Sequence, residues 1–485
     1  MSPRLVWAGQ QWAVGVQTAG DAASARGTPP VTIEMPGEPS LRALPTSKGT
    51  VPTGTGAKSA PGGATAWIER LVEGDAFEVA QGLGLAGRVD LVYVDPPFAS
   101  QATYEHEARL DGPADGRVVR ARAYDDRWGN GLGPYLDMLA PRLEALAHLL
   151  SRQGTIWVHV DWRASHLVRM LLDEIMGREA FKNEIVWRRA PNLGRQAASN
   201  QFGRTLDTII VYGKPGAKLT PPTRLERIDA KAIRRDDAER PYTTAPRGDY
   251  TDESLLRLEQ EGRVHRTASG KAYVKYFLVQ DAEGTWCRER RVDTLWTDVA
   301  PLRHARTAER TGFPTQKPRA LLDRIVACAS PPGGVVVDLF AGSGTTGESA
   351  HSLGRQFVLG DASPLAIATA RARLLRAGSS LVVQRCGQRA WDEGAVADAV
   401  DFAVERSGEG ARVFLRRPLE PLAWAIDVRH DPASPFRTAW HAERAPGVRP
   451  RAAPREATLL SAPGPIAVRA WWDDGRVATG IEGTP

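Results

Sequence analysis

From Trp67 onward the chain alternates short, continuously apolar runs with longer stretches whose apolar residues recur every three or four positions. The runs LVEGD (71–75), VDLVYVD (89–95), TIWVHVD (155–161), DTIIVYG (207–213), GGVVVDLF (333–340) and RQFVLGD (355–361) are too short for helices and too uniformly apolar for strands with one wet face. They predict buried strands, several of which end on an acid. Between them, YLDMLAPRLEALAHLL (135–150), ASHLVRMLLDEIMG (164–177), PRALLDRIVACAS (318–330) and PLAIATARARLLRAG (364–378) carry helical periodicity. Strands alternating with helices predict an α/β domain whose mostly parallel sheet is covered on both faces. Ligands of such sheets bind outside the carboxyl ends of the strands, which places the terminal acids and glycines for function.

Three stretches break the rhythm. Residues 1–65 are rich in Gly, Pro, Ser, Thr and Ala without a sustained period, and read as a mostly disordered leader. Residues 215–312 are mixed in charge and read as an insert that divides the α/β domain into halves at 66–214 and 313–378. Residues 379–485 hold strand-like pieces such as RVFLRR and IAVRAWW between Pro-rich turns, which predicts a small β-rich C-terminal extension.

Composition narrows the picture. At 485 residues, 42% apolar and 25% charged, the chain is long and apolar enough for a sizeable core, and disorder throughout is excluded. No run approaches the roughly 18 apolar residues of a membrane span. The N-terminus carries no secretory pattern, so the expected compartment is the cytoplasm. Cys287, Cys328 and Cys386 stand too far apart in sequence for a disulfide framework or zinc spacing, and no metal is expected. The net charge of +6 is mild, but only nine of the 63 basic residues are lysines. Arginine's planar fork suits phosphate; GC-rich coding would enrich it too, so charge alone does not name the partner.

Two motifs carry chemistry. Asp338-Leu-Phe-Ala-Gly-Ser-Gly-Thr-Thr-Gly347 follows a strand and precedes a helix, and Gly342, Gly344 and Gly347 leave a turn that a ligand can approach closely. Asp361 ends the next strand, where an acid can bind both hydroxyls of a ribose. A nucleoside ligand follows. Glu348 after Gly347 excludes a phosphate-binding Gly-Lys-Ser/Thr loop, and no candidate His base supports an NAD-dependent oxidoreductase. The second motif is Asp95-Pro96-Pro97-Phe98 at the end of LVYVD. Two prolines stiffen the exit from the strand and hold the Asp95 carboxylate and Pro96 carbonyl as paired acceptors. That pair fits an NH2 group on a base, whose nitrogen becomes nucleophilic once its lone pair leaves the ring. Phe98 offers the base a stacking face. Together the motifs imply group transfer from a nucleoside donor to an amino nitrogen.

At these residues the sequence resembles the amino-methylating DNA methyltransferases in their permuted order, with the DPP(Y/F) motif before the glycine motif. It is most similar to the adenine-specific modification subunits of type III restriction systems and their stand-alone relatives. The resemblance covers roughly 67–375 and includes LVEGDAFEV, VDLVYVDPPF, NEIVWRR, RTLDTIIVYGKP, FPTQKPRALLDRIV and the DLFAGSGTTG–GRQFVLGD pair. It implies a Rossmann-like α/β sheet, a target-recognition insert and S-adenosylmethionine as cofactor. By position, Asp338, Phe340, Gly342, Gly344 and Thr345 would cradle the methionine part, Asp361 would bind the ribose and Asp75 would lie near the adenine. Thr315, Gln316, Lys317 and Pro318 would close over the methionyl end, Lys317 facing its carboxylate. Departures from the family are Leu339 for the common Pro, Asp361 for Glu and Phe98 for Tyr.

The resemblance further implies N6 methylation of adenine in double-stranded DNA by base flipping, Asp95 and Pro96 gripping the amine, Pro97 stiffening the corner and Phe98 stacking. Cytosine N4 methylation uses the same grip, more often with Ser at the position of Asp95. RNA or protein-amide methyltransferases more often carry Asn there. Arg188, Arg189, Arg195 and Arg204, beside the NEIVW strand, are the candidate phosphate contacts. A restriction subunit and a homodimer are the partners the resemblance raises.

Overall fold

The computed structural model describes residues 31–36, 67, 69–98, 100, 103–110, 117–128, 132–192, 200, 202–306, 309–386, 400–417, 423–431, 435–443, 455–471 and 477–482. Its central sheet contains β1 (Val31–Pro36), β2 (Glu69–Glu73), β3 (Val89–Val94), β4 (Leu150–Val160), β5 (Phe181–Arg188), β6 (Leu206–Gly213), β7 (Val335–Asp338), β8 (Gln356–Asp361), β9 (Leu381–Arg385) and β10 (Phe436–Thr438). These lie in the order β5-β6-β4-β3-β7-β8-β2-β9-β1-β10. From β4 to β9 each neighbouring pair is parallel. Strands β5, β6 and β1 join antiparallel.

The helices follow the apolar periodicity: α1 (Ala76–Gly82), α2 (Gly133–Leu149), α3 (Ser165–Met176), α4 (Arg319–Ala329), α5 (Thr345–Ser352) and α6 (Pro364–Arg376). Leu91, Val92, Ile156, Val158, Val336, Val337 and Val358 have no exposed surface, as continuously apolar strands covered on both faces require. Leu139, Leu143 and Leu146 of α2 and Leu321, Ile325 and Val326 of α4 are equally buried, each such side chain contributing about 1.5–3 kcal/mol.

One feature of the topology positions the site. From β3 the chain runs through α2 to β4 on one side, and from β7 through α5 to β8 on the other. The two routes diverge between adjacent parallel strands, which opens a crevice at the carboxyl ends of β3 and β7. Asp95 follows β3 and Asp338 ends β7.

The structure redraws three boundaries. Within the expected leader 1–65, Val31–Pro36 is a strand that pairs with β9 and β10, because its extended backbone completes edges the sheet would otherwise leave open; the remainder of 1–65 lies outside the described residues. Thr220–Leu295 separates as a compact unit, narrower than the insert read over 215–312. Residues after it belong with the central sheet: the Trp296 ring lies 6.5 Å from that of Trp157, and Trp187 Nε1 donates to the Val299 carbonyl at 3.0 Å. Within 379–485, β9 and β10 belong to the central sheet, while Asp401–Ser407, Gly410–Arg417 and Glu456–Leu459 form one small sheet and Ala423–Asp427, Trp440–Glu443, Ala467–Trp471 and Val477–Ile481 another. Val413, Leu415, Trp424, Ile426 and Val468 share a core there.

Thr220–Leu295 itself holds an antiparallel sheet, including Pro241–Pro246, Ala272–Gln280 and Trp286–Arg291, and a helix, Asp252–Gln260. Among the described residues no helix is long and apolar enough to cross a membrane, and no cluster of three or more His, Cys, Asp or Glu could hold a metal. All three cysteines are buried and free.

Candidate active site

Strand β3 delivers Asp95 to the crevice, and Pro96 and Pro97 hold the backbone extended beyond it. The Lys317 ammonium forms an ion pair with Asp95 Oδ2, whereas Oδ1 is buried without a hydrogen-bond partner. A buried acceptor left open is costly in a finished core, so an open carboxylate oxygen at a crevice marks a place for a donor. The loop after Pro97 is tied down by Asp126, a fully buried carboxylate. Its Oδ2 accepts from the Phe98 amide at 3.1 Å, the Ser100 amide at 2.7 Å and the Ser100 hydroxyl at 2.6 Å; its Oδ1 accepts from Trp128 Nε1 at 2.8 Å. The Phe98 ring stacks on His159 with centroids 5.8 Å apart and an interplanar angle of 28°, and the Lys317 ammonium lies 5.0 Å from its centroid.

The second half of the site is built by the turns after β7 and β8. Asp338 Oδ1 accepts from the Phe340 amide at 3.0 Å and Oδ2 from the Thr346 hydroxyl at 2.6 Å. Asp361 Oδ1 accepts from the Ser363 amide at 2.8 Å and Oδ2 from the Gly342 amide at 2.9 Å, which links the two turns. Gly342 has φ of +48° and a side chain there would come within 3.3 Å of the Phe313 ring.

Both halves line one cavity of about 620 Å³, whose wall includes Asp75, Asp95, Phe98, Lys317, Asp338 and Asp361. Its two lining cations are committed, Lys317 to Asp95 and Arg142 to Asp75. Asp338 and Asp361 are met by amides and a hydroxyl. Burial pushes the Asp338 carboxyl up to about 7, with the charges of Asp95 and Asp361 adding to the rise, and burial pushes Asp361 to about 6. The cavity therefore has surplus negative charge that a cationic ligand can neutralise.

Most residues singled out from the sequence meet here, but their contacts differ from expectation. Lys317, expected to face a ligand carboxylate, grips Asp95. Asp75 lines the cavity but caps α1 through the Phe77 amide and pairs with Arg142. Gly344 and Pro318 are not among the lining residues: a Cβ on Gly344, with φ of +76°, would lie 2.8 Å from that of Ala370, and Pro318 caps the start of α4. Both shape the turns beside the cavity. The Thr345 hydroxyl is held by Arg373 at 2.8 Å. Gln316 latches its loop, accepting from Thr311 and donating to the Glu309 carbonyl at 2.7 Å. Thr315 sits at φ of +61°, a strained conformation for a β-branched residue, and Phe340 lines the cavity.

Of the candidate DNA contacts, Arg188 is exposed, Arg189 pairs with the buried Asp207 at 2.7 Å, and the Arg204 guanidinium lies 3.9 Å from the Trp162 ring centroid. Arg195 lies outside the described residues. Sequence reasoning missed Asp126, His159, Asp207 and Arg142. Only the acid closing TIWVHVD stood out near them; His159, two positions earlier in that strand, is a polar residue in an otherwise apolar run and was the available signal.

Residues 89–371 match the N6/N4 family model described as DNA methylase. The chain is 26% identical over 314 residues to the type II methyltransferase M.EcaI of Enterobacter cloacae, covering 59% of this chain and 64% of that protein. It is 25% identical over 334 residues to the type III restriction-modification enzyme StyLTI Mod subunit of Salmonella typhimurium, covering 59% of this chain and 50% of that one. The chain thus spans between half and two thirds of the length of these curated relatives. A putative DNA modification methylase from Thermus thermophilus, solved with S-adenosyl-L-methionine, is 17% identical with a TM-score of 0.36, covering 66% of this chain and 100% of that one. With more than half its length matched by the family model, and with the DPPF corner and glycine turn inside that match, this chain belongs to the N6/N4 DNA methylase family.

Proposed function

We propose that the chain methylates the exocyclic amino nitrogen of a base in double-stranded DNA, N6 of adenine, using S-adenosylmethionine, with the base turned out of the duplex because its nitrogen is unreachable inside the stack. The observation that carries this reading is that Asp95, whose Oδ1 is buried and unpartnered, lines the same cavity as Asp338 and Asp361.

The residues fit the cofactor. A cavity of about 620 Å³ is the size of a small-molecule site, and its two uncompensated carboxylates suit a ligand with a sulfonium, an ammonium and a ribose diol. Asp361 and Asp338, with the Gly342 turn, would hold it. When bound, the cofactor supplies an electrophilic methyl group. Asp95 Oδ1 then accepts a hydrogen of the target amine, which draws its lone pair out of conjugation and gives the departing proton a route to the carboxylate. The Pro96 carbonyl is the second acceptor, fixed by the stiff Asp-Pro-Pro backbone. Phe98 stacks the base, worth about 1–3 kcal/mol. Fixed geometry between amine and acceptors is the main source of rate.

The test is hydrolysis to nucleosides of unmethylated genomic DNA incubated with the protein and methyl-labelled cofactor. N6-methyl-2′-deoxyadenosine is expected; N4-methyl-2′-deoxycytidine would transfer the same grip to cytosine, and no label in DNA would overturn the reading. Asp95→Ala is expected to abolish transfer while cofactor binding, followed by calorimetry, persists. A restriction subunit and a second copy of the chain belong to the same proposal, read by co-purification and by mass in solution.

A further inference from the structure

Beneath Phe98 runs a buried polar chain that the chemistry above does not use. Tyr93 Oη lies 2.9 Å from His159 Nδ1, and His159 Nε2 lies 3.2 Å from Asp207 Oδ2. Asp207 Oδ1 lies 2.7 Å from Arg189 Nε. Tyr93 and His159 are completely buried and Asp207 nearly so, while the Arg189 side chain is 38% exposed. The partners orient the ring: ionised Asp207 only accepts, so Nε2 carries the proton, Nδ1 accepts, and the Tyr93 hydroxyl donates to it. The Asp207 carboxyl is subject to desolvation by burial, but its hydrogen bond to His159 and the charges of Arg189 and Lys317 hold it below the usual carboxylate range. Trp187 packs edge-on against the same imidazole, centroids 5.8 Å apart.

An apolar side chain would fill the space under Phe98 without the cost of burying a charged group. What the polar chain adds is a fixed imidazole plane and a connection from that plane to a half-exposed guanidinium. Asp207 Oδ1 pairs with Arg189 Nε by charge, without a hydrogen bond, and Nη2 reaches the Arg204 carbonyl at 3.3 Å. The outer edge of the fork is on the surface beside exposed Arg188. We infer that His159 is a positioning residue for Phe98, and that Arg189, Asp207 and His159 form a strut that couples a DNA phosphate outside to the orientation of the base-stacking ring inside. The inference rests on the proposed methyltransferase reading. On it, a phosphate on the Arg189 fork stiffens the strut, so the ring is set when DNA is in place.

The test uses the full chain and two duplexes carrying its methylation site, mapped by sequencing of methylated DNA: one with adenine at the target position, on which kcat is read, and one with 2-aminopurine there, which lacks the 6-amino group and reports emission alone. Cofactor affinity, which does not depend on the strut, reports intact folding in every variant. His159→Phe keeps an aromatic plane but cuts the chain; kcat is expected to fall about tenfold with DNA Kd unchanged, and 2-aminopurine emission to rise as stacking loosens. His159→Ala, which removes the plane as well, is expected to lose more. Arg189→Ala is expected to weaken DNA binding several-fold and lower kcat. The double variant His159→Phe with Arg189→Ala is expected to have kcat no lower than the worse single one, the non-additivity of two breaks in one chain. Wild-type kcat in His159→Phe would overturn the positioning role, and kcat losses that multiply would overturn the strut. Absence of transfer to DNA by the wild-type protein would instead remove the underlying function, a separate outcome.

Discussion

Lys317 and Asp95, 222 residues apart in sequence, are joined as an ion pair through Oδ2, leaving Oδ1 of the same carboxylate buried without a hydrogen-bond partner. One oxygen is fixed and the other is unpaired. The pair orients the carboxylate before any substrate arrives, which is what an acceptor for a planar amine needs.

If Lys317 serves Asp95, Lys317→Met should act on turnover. We expect kcat to fall about 100-fold, in the range seen when one preorganised electrostatic contact is removed, while cofactor Kd changes by less than about threefold. Lys317→Arg keeps the charge but not the compact ammonium and should recover only part of the rate. Steady-state kinetics and calorimetry read the two quantities. A cofactor Kd that weakens in step with kcat would assign Lys317 to the cofactor instead.

The raised carboxyls of Asp338, near 7, and Asp361, near 6, give cofactor binding a pH dependence. A cationic ligand favours the ionised forms. Affinity should therefore be level above about pH 7.5 and decline below 7, more steeply below 6, approaching tenfold per pH unit for each proton that must leave. Without ligand the sign is opposite: the folded protein holds these protons more tightly than the unfolded chain, so the groups lower stability as pH rises from about 4 to 7. The rise in Tm caused by cofactor should thus be larger at about pH 8 than at about pH 5.5. Equal shifts at both values would contradict the assignment.

The legible parts of this chain were those in which one segment determines its own state. Val89–Val94 reads as a strand because it is almost continuously apolar, and Asp95 to Phe98 read as a rigid corner because two prolines act locally. What stayed hidden depends on distant partners. Asp126 looks like any acid in RAYDDRW until Phe98 and Ser100 place their donors on it. Val31–Pro36 is too short for its pattern to register and is a strand only because β9 and β10 flank it. The compact unit ends before Trp296, because that residue sits in a mixed-charge stretch of sequence and is tied to the sheet by Trp157 and, through Val299, by Trp187, both far back in the chain.

Gly344 and Gly342 separate architecture from ligand contact. Gly344→Ala combines a left-handed φ of +76° with a methyl 2.8 Å from Ala370, so it should destabilise the fold by about 2–4 kcal/mol in denaturant unfolding. Gly342→Ala, at φ of +48° and 3.3 Å from the Phe313 ring, intrudes on the lining instead. Its expected effect is about 1–2 kcal/mol on stability with a disproportionate loss of cofactor affinity. The reverse ranking would place the ligand on the other side of the turn.

Asp126 is the residue on which the Phe98 loop depends, and its role follows from donor counting. Three donors converge on Oδ2 and a fourth, from Trp128, on Oδ1. An amide has one acceptor atom and one donor group, so Asp126→Asn must turn its NH2 either toward the two backbone amides or toward the indole N–H. In either orientation a donor faces a donor in a buried place, at a cost of about 1–3 kcal/mol. The cavity wall around Asp338 and Asp361 does not include Asp126, so cofactor affinity should hold. The Phe98 backbone is what loosens. We therefore expect Asp126→Asn to lower kcat by about tenfold and to raise KM for DNA, with cofactor Kd unchanged within about twofold, measured by steady-state kinetics beside calorimetry. Wild-type kcat in a variant that has demonstrably lost stability would show that the stacking ring tolerates a mobile loop, and that His159 alone suffices to hold it.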